Sequence, residues 1–169
     1  MKKLLVVIDM QNDFVFGALG TKEAQAILPA VQAKIKEYRA AGDTVVFTAD
    51  THSESYMDTQ EGKKLPVPHC IKPSAGWQIV EGLHRDEQVF EKNVFGSAEL
   101  AKFVAEERFD DVTLIGVCTD ICVLSNAVLI KTACPEIAVR VFSGCCAGVT
   151  PETHEAALCV LRSIQVEIL

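Results

Sequence analysis

The stretch DVTLIGVCTDICVLSN, residues 111–126, carries the pattern around which the predicted fold is built. Its apolar run from Val112 to Ile115 breaks at Gly116, and an apolar spacing typical of a helix begins after a short polar turn. This order predicts a strand, a tight turn and a helix whose first turn contains Cys122. Unpaired backbone N–H groups and the helix dipole would favour a thiolate there. The alternative is that Cys122 is a small core residue.

Similar apolar runs occur on both sides of this stretch. Five more segments are predicted as strands: 4–8, 44–49, 89–91, 137–142 and 164–168. Between them the spacing of apolar residues predicts helices over 24–41, 98–107, from Cys122 to about 132, and 151–162. Strands that alternate with helices indicate right-handed crossovers and a parallel sheet covered on both faces. The sequence therefore predicts an α/β fold in a single domain over residues 1–169.

Composition excludes several classes of partner. The chain has 169 residues, of which 49% are hydrophobic and 23% charged, and its net charge is −7 with no basic stripe. Nucleic acid and anionic membranes are therefore not expected partners. The first apolar run is too short for a signal peptide, and no apolar run reaches the roughly 20 residues of a membrane span. The seven cysteines are then expected to be reduced thiols in a cytoplasmic protein.

Polar residues follow four of the predicted strands. Asp9, Asp50, Lys92 and the turn from Cys118 to Cys122 are expected at one edge of the sheet, where parallel sheets bind ligands. A cysteine nucleophile needs a proton acceptor and a cation, and Asp9 and Lys92 are the candidates. Asp9 could instead cap a turn, and Lys92 could be a solvated surface residue. Backbone N–H groups of the turn could stabilise an oxyanion in acyl transfer.

The segment 51–78 is predicted as a long polar loop, which in a compact domain usually has a function. Asp50, His52 and His69 supply mixed oxygen and nitrogen ligands for a divalent metal such as zinc, manganese or iron. The alternative is that both histidines only make hydrogen bonds in the loop. The remaining histidines, His84 and His154, are interpreted as surface residues.

Several short motifs together resemble one family. The segments VVIDMQNDF (6–14), DTH (50–52), LPVPHC (65–70) and GVCTDICV (116–123), with Lys92, resemble the isochorismatase-like cysteine hydrolases, a group that includes nicotinamidases. The resemblance spans the whole chain in order. It implies a three-layer α/β/α fold with a six-stranded parallel sheet, and homo-oligomers are common in the family.

The resemblance also implies roles for individual residues. Asp9, Lys92 and Cys122 would form a catalytic triad, and the peptide bond between Val117 and Cys118 would be cis. The N–H groups of Cys118 and Cys122 would form the oxyanion hole. A divalent metal, with zinc the first choice, would be held by Asp50, which follows the second strand, and by His52, His69 and Glu61 of the long loop.

The activity implied by the resemblance is cysteine amidohydrolase. Isochorismatases proper cleave a vinyl ether and lack a cysteine at the position of Cys122, so its presence favours hydrolysis of a small carboxamide through a thioester. Nicotinamide is the leading substrate. Phe14 and Phe16 could line its pocket, or either could be an ordinary core residue. Pro66, however, replaces the aromatic residue that stacks on the pyridine ring in many nicotinamidases. The alternatives are a non-catalytic member that binds a metabolite or recruits a partner, and a metal-dependent hydrolase in which Cys122 is incidental.

Overall fold

A parallel sheet forms the centre of the computed structural model, which describes residues 1–169. The strands are β1 (Lys3–Ile8), β2 (Thr44–Asp50), β3 (Val89–Lys92), β4 (Asp111–Val117), β5 (Ala138–Ala147) and β6 (Glu167–Ile168). Their order across the sheet is β3-β2-β1-β4-β5-β6, and every neighbouring pair is parallel. The predicted fold class is confirmed.

Helices cover both faces of the sheet. They are α1 (Asn12–Val15), α2 (Lys22–Ala41), α3 (Gln60–Lys64), α4 (Ala98–Glu107), α5 (Leu124–Ala133) and α6 (Pro151–Ser163). Buried residues of α2 share one hydrophobic cluster with one face of the sheet, while buried residues of α4, α5 and α6 share a second cluster with the other face. None of these helices is both long and apolar enough to cross a membrane.

The run from Leu4 to Ile8 in strand β1 is apolar at every position because both faces of the sheet are covered. Leu4, Val6 and Ile8 point into the cluster beneath α4, α5 and α6, whereas Leu5 and Val7 point into the cluster beneath α2. Successive side chains of a strand face opposite sides, so a sheet covered on both faces needs an uninterrupted apolar run. All five side chains are fully buried.

Several boundaries differ from those predicted. The segment 51–78, predicted as a loop, contains α3 and a short 3₁₀ helix, Tyr56–Asp58. The sequence does not indicate these helices because they are too short to show a helical period. The predicted fifth strand continues to Ala147 through a register shift opposite β4. The last strand is shorter than predicted, since α6 runs to Ser163, Ile164 caps it and Gln165 adopts a φ of 67°.

Gly116 permits close approach of the two central strands. Its φ is 114°, a region that residues with a side chain rarely adopt. A Cβ atom there would clash with the carbonyl oxygen of Ile8 and lie 2.9 Å from the nitrogen of Ile8. The glycine that interrupts the apolar run is therefore required by the pairing of β1 with β4.

We expect Gly116→Ala to lower the free energy of unfolding by at least about 3 kcal/mol, because it combines backbone strain with a clash in the central pair of strands. Gly144→Ala is the matched control. No atom lies within 4 Å of a Cβ added at Gly144, so the free energy of unfolding should change by no more than about 0.5 kcal/mol. Urea denaturation followed by circular dichroism measures both. Equal midpoints for the two variants would contradict the role of Gly116.

Candidate active site

Three adjacent strands bring charged side chains to one edge of the sheet. Asp9 directly follows β1, while Asp50 and Lys92 are the last residues of β2 and β3 and stand opposite each other in register. The structure thus places all three at the predicted edge. The sequence predicts that Asp50 and Lys92 follow their strands, whereas in the structure they are the last residues of those strands. The reason is that pairing between β2 and β3 continues through both residues.

Lys92 connects the groups of the predicted triad. Its Nζ lies 2.7 Å from Asp9 Oδ2 and 3.6 Å from Cys122 Sγ. Asp9 is fully buried, and Lys92 and Cys122 are each 6% exposed. The hydroxyl of Thr48 donates a 2.6 Å hydrogen bond to Asp9 Oδ1, which leaves Oδ2 facing the lysine. A carboxylate, an ammonium and a thiol therefore meet out of contact with bulk water.

Burial shifts the pKa values of all three residues, Asp9, Lys92 and Cys122. Burial raises the pKa of the Cys122 thiol, the charge of Asp9 raises it further, and Lys92 only partly offsets both. Burial also raises the pKa of Asp9 despite the neighbouring ammonium. For Lys92 burial lowers the pKa, but the negative charges of Asp9 and Asp50 favour the ammonium and the net pKa is raised. Cys122 therefore rests as a thiol, not as the thiolate expected from its position in a helical turn.

The turn that carries Cys122 is wider than an α-helical turn. Residues Thr119–Val123 form a π-helical turn that leads directly into α5. The preceding peptide bond, between Val117 and Cys118, is cis. The carbonyl of Cys118 accepts hydrogen bonds from Ile121 N at 3.1 Å and Val123 N at 3.0 Å, whereas the Cys118 N–H has no partner within the chain. A free backbone donor thus lies at the start of the turn that carries Cys122.

Asn126 ties the turn to the segment that follows Lys92. This fully buried side chain donates from Nδ2 to the carbonyls of Cys122 at 2.8 Å and Phe95 at 3.3 Å. Its Oδ1 accepts from the backbone N–H of Ser97 at 3.0 Å. One side-chain amide therefore links the turn that carries Cys122 to the chain that follows Lys92. Sequence reasoning missed Asn126, because nothing local distinguishes it from an ordinary polar residue on a helix.

Two contacts tie the other side of the turn to α6 and the loop before it. Thr119 Oγ1 lies 2.8 Å from His154 Nδ1, and Asp120 Oδ1 accepts a 3.1 Å hydrogen bond from Val149 N. His154 is half-buried and contacts the turn, so its interpretation as a solvated surface residue is corrected.

A second group of side chains, next to the triad, has the composition of a metal site. The ligand atoms of its four members all lie within 4.8 Å of one another: Asp50, His52, Glu61 and His69. Asp50 Oδ2 is 2.9 Å from His52 Nε2 and 3.5 Å from His69 Nε2. Two imidazole nitrogens and two carboxylates in a buried cluster form a donor set that could hold a divalent metal. Glu61 reaches the cluster from α3.

Neighbouring groups fix the orientation of the cluster's histidines. The carbonyl of Val67 lies 2.8 Å from His69 Nδ1, so Nδ1–H can donate to it and Nε2 is free for the cluster. The buried ring of Tyr56 packs edge-on against both imidazoles, with centroid distances of 4.8 Å to His52 and 5.0 Å to His69. The arrangement resembles the outer support of a protein metal site, where a second contact holds each ligand in place.

The segment after β1 supports both groups. Gln11 is fully buried; its Oε1 accepts from Asp50 N at 2.7 Å and its Nε2 donates to Asp50 O at 2.8 Å. Asp13 Oδ2 accepts a 2.8 Å hydrogen bond from Cys70 N, next to His69. Three alternate residues after β1 therefore support the site. Asp9 belongs to the predicted triad, Gln11 holds the backbone of Asp50 and Asp13 holds the backbone next to His69.

A cavity of about 1090 Å³ opens onto both groups. Its lining includes Phe14, Cys118, Cys122 and all four residues of the cluster formed by Asp50, His52, Glu61 and His69. Phe16, also expected in the pocket, is 58% exposed and does not line the cavity. It lies just beyond α1, whose single turn directs Val15 and not Phe16 into the core.

Known proteins resemble this chain over most of its length. A protein-family model described as an isochorismatase domain matches residues 3–169. An uncharacterised isochorismatase family protein of Bacillus subtilis is 36% identical over 143 residues, which cover 76% of this chain and 78% of that protein. The nicotinamidase/pyrazinamidase of Mycobacterium tuberculosis is 27% identical over 185 residues, which cover 99% of this chain and 98% of that protein.

Solved structures show the same fold. The crystal structure of the pyrazinamidase of Pyrococcus horikoshii in complex with zinc has a TM-score of 0.88 and 28% sequence identity, and the match covers 100% of this chain and 99% of that one. Because the family match spans almost every residue, from β1 to the last strand, this chain belongs to the isochorismatase family of hydrolases.

Proposed function

We propose that this protein is a cysteine amidohydrolase that cleaves a small carboxamide to a carboxylate and ammonia. The observation that carries the proposal is the buried contact of Lys92 with both Asp9, at 2.7 Å, and Cys122, at 3.6 Å, beside a large cavity. A nucleophile, a base and a cation within reach of one another are the groups that acyl transfer requires. The nicotinamidase activity named for relatives supports the same reaction class.

The first half of the reaction forms a thioester. As Cys122 Sγ attacks the amide carbon, Asp9 takes the thiol proton, and the adjacent ammonium of Lys92 stabilises the developing negative charge. The free N–H of Cys118, with that of Cys122, would donate to the oxyanion of the tetrahedral intermediate. Asp9 then passes the proton to the nitrogen, the C–N bond breaks and ammonia leaves.

The second half releases the acid. Asp9 takes a proton from a water molecule that attacks the thioester carbon, the C–S bond breaks, and the proton returns to Cys122 Sγ. The carboxylic acid then leaves and loses its proton to solvent to give the carboxylate product, and the thiol, the carboxylate of Asp9 and the ammonium of Lys92 are restored. A thiol at rest suits this cycle because its proton passes to Asp9 only as the sulfur attacks.

The four-residue cluster is proposed to hold a divalent metal, with zinc favoured by the two imidazole and two carboxylate donors. Manganese and iron remain alternatives for this donor set. When bound, the ion would supply a positive charge and a coordination position close to the substrate. Asp50, His52, Glu61 and His69 would hold it, while Gln11 would keep the backbone of Asp50 in place.

Nicotinamide is the leading substrate because relatives are named for it. Phe14 offers an aromatic face in the cavity, but Pro66 offers none. An ammonia-release assay with metal-replete, reduced protein tests the proposal, and nicotinamide, pyrazinamide and other small amides should be compared. If another amide is turned over and nicotinamide is not, nicotinamide is excluded as the substrate while amide hydrolysis remains the reaction.

We expect Cys122→Ala to reduce turnover of the best amide by a factor of at least about 10⁴, because no covalent intermediate can form. Cys118→Ala is the matched control from the same turn. It keeps the backbone N–H, so turnover should change less than about tenfold. Ammonia release and thioester trapping by mass spectrometry measure both effects.

Two outcomes would favour other functions. Full turnover by Cys122→Ala would show that the cysteine is incidental and that the protein is a metal-dependent hydrolase. No turnover of any amide by metal-replete wild-type protein would support a non-catalytic member that binds a metabolite or recruits a partner.

Removal of one cluster histidine should weaken metal binding. We expect His69→Ala to bind zinc at least about a hundredfold more weakly than the wild type, since it removes one of four donors. His84→Ala is the control, because His84 lies outside the cluster and contacts the carbonyl of Glu87. Competition with a zinc chelator measures both affinities. Equal affinity in the two variants would exclude the proposed site.

A further inference from the structure

Thr48 is a buried polar residue in an otherwise apolar part of β2. The residues from Val45 to Ala49 are apolar apart from this threonine, which is fully buried. A hydroxyl removed from water costs free energy unless it forms hydrogen bonds. The only partner of the Thr48 hydroxyl is Asp9, the base of the proposed reaction. The buried threonine is therefore explained by its contact with Asp9.

The Thr48 hydroxyl makes two hydrogen bonds with Asp9. Its oxygen accepts from the backbone N–H of Asp9 at 3.2 Å, and its proton is donated to Asp9 Oδ1 at 2.6 Å. Asp9 has a φ of 46°, in the left-handed region that residues with a side chain seldom adopt. The backbone and the carboxylate of Asp9 thus converge on one oxygen, which holds both the turn after β1 and the rotation of the carboxylate.

These hydrogen bonds make the two oxygens of the Asp9 carboxylate unequal. A proton on Oδ1 would leave the Thr48 hydroxyl without an acceptor, because no other acceptor contacts it, and an unpaired donor is costly in a buried site. Oδ2 forms the ion pair with Lys92 at 2.7 Å, but no donor meets it with good hydrogen-bond geometry. Oδ2 is therefore the oxygen that can take a proton.

Lys92 brings this oxygen and the reacting sulfur together. Its Nζ lies 2.7 Å from Asp9 Oδ2 and 3.6 Å from Cys122 Sγ. Burial and the charge of Asp9 raise the pKa of the Cys122 thiol, and a hydrogen bond to Asp9 adds to the rise. The thiol and the carboxylate are thus close enough for the proton to pass directly between them.

We propose that Thr48 is a positioning residue, which holds Asp9 Oδ1 so that Oδ2 alone takes the proton of Cys122 and passes it to the leaving nitrogen. This inference rests on the proposed amidohydrolase function. The S–H bond of Cys122 breaks as the bond from the proton to Oδ2 forms, and the Thr48 hydroxyl keeps its own proton throughout. Thr48 does not line the cavity, so it acts through Asp9 and touches no substrate.

With metal-replete protein, we expect Thr48→Val to lower kcat for the best amide by about tenfold to a hundredfold, since the carboxylate loses its fixed orientation. KM should stay within about twofold of the wild type, because Thr48 lies outside the cavity. Thr48→Ser keeps the hydroxyl and should retain kcat within about threefold. Ammonia release measures all three.

Thr113→Val is the matched control. Thr113 is a buried threonine of the central strand β4, and its hydroxyl accepts a 3.0 Å hydrogen bond from Tyr38, away from the site. Its loss should leave kcat and KM at the wild-type values. Equal kcat in Thr48→Val and Thr113→Val would overturn the proposal.

The pH profile separates positioning from simple support of the fold. Burial raises the pKa of Asp9, whereas the hydrogen bond from Thr48 lowers it. Removal of the hydroxyl therefore raises the pKa of Asp9, and the acidic limb of kcat/KM should move to higher pH by about one unit in Thr48→Val. The other titratable groups that interact with Asp9 are the same in every variant: Lys92, Asp50, Cys70, Cys118 and Cys122. A lower kcat with an unshifted limb would overturn the proposal and make Thr48 a structural residue.

Alkylation of Cys122 by iodoacetamide separates this inference from the proposed function, because it needs the thiol proton to pass to Asp9 but no amide bond to break. The rate, followed by mass spectrometry, should fall about tenfold in Thr48→Val and stay unchanged in Thr48→Ser and Thr113→Val. This pattern without turnover of any amide by the wild type would refute the amidohydrolase and leave the role of Thr48. Amide turnover by the wild type with equal alkylation rates in all variants would refute the role of Thr48 and leave the amidohydrolase.

A second variant covers the case in which Thr48→Val does not fold, which urea denaturation would show. Thr48→Ala also removes the hydroxyl, but it presses no methyl group against Asp9 Oδ1. Its control is then Thr113→Ala, and the same differences in kcat, pH profile and alkylation rate decide between the outcomes.

Discussion

A buried ammonium group is the constraint on which the site depends. Removal of the Lys92 charge from water costs several kcal/mol unless anionic partners replace the lost hydration. Asp9, at 2.7 Å, and Asp50 Oδ1, at 3.5 Å, supply those partners. Because β3, β2 and β1 are consecutive in the sheet, the three charges come together by strand order alone. The same contacts place the lysine beside Cys122, so the groups that stabilise the buried charge also belong to the proposed reacting centre.

Much of this arrangement follows from local sequence. Apolar runs that end in Asp9, Asp50 and Lys92 predict buried parallel strands, and parallel strands carry their last residues to a common edge. The glycine and cysteines of residues 116–122 predict a strand, a turn and a helix, and these elements are present. The sequence is informative here because strand period and strand direction are local properties.

Other features depend on contacts between distant parts of the chain. The link from Asn126 to Phe95 spans 31 residues, and the contact from Thr119 to His154 spans 35. No local pattern predicts either one. The pKa of Cys122 is a similar case, since the helical turn suggests a thiolate while burial and Asp9 favour the thiol. Phe16 fails as a pocket residue because α1 ends after one turn, a boundary that the sequence does not mark.

The position of β3 has a consequence for how the protein loses function. This strand has four residues, lies at the edge of the sheet and pairs only with β2, yet it carries Lys92. Edge segments with few partners can open locally at a lower free energy than the whole domain. Amides of β3 should therefore exchange with deuterium faster than those of the central β1. In rising urea, catalytic competence would disappear while the rest of the sheet is still folded, and coincident loss of both would show that β3 opens only with the whole domain.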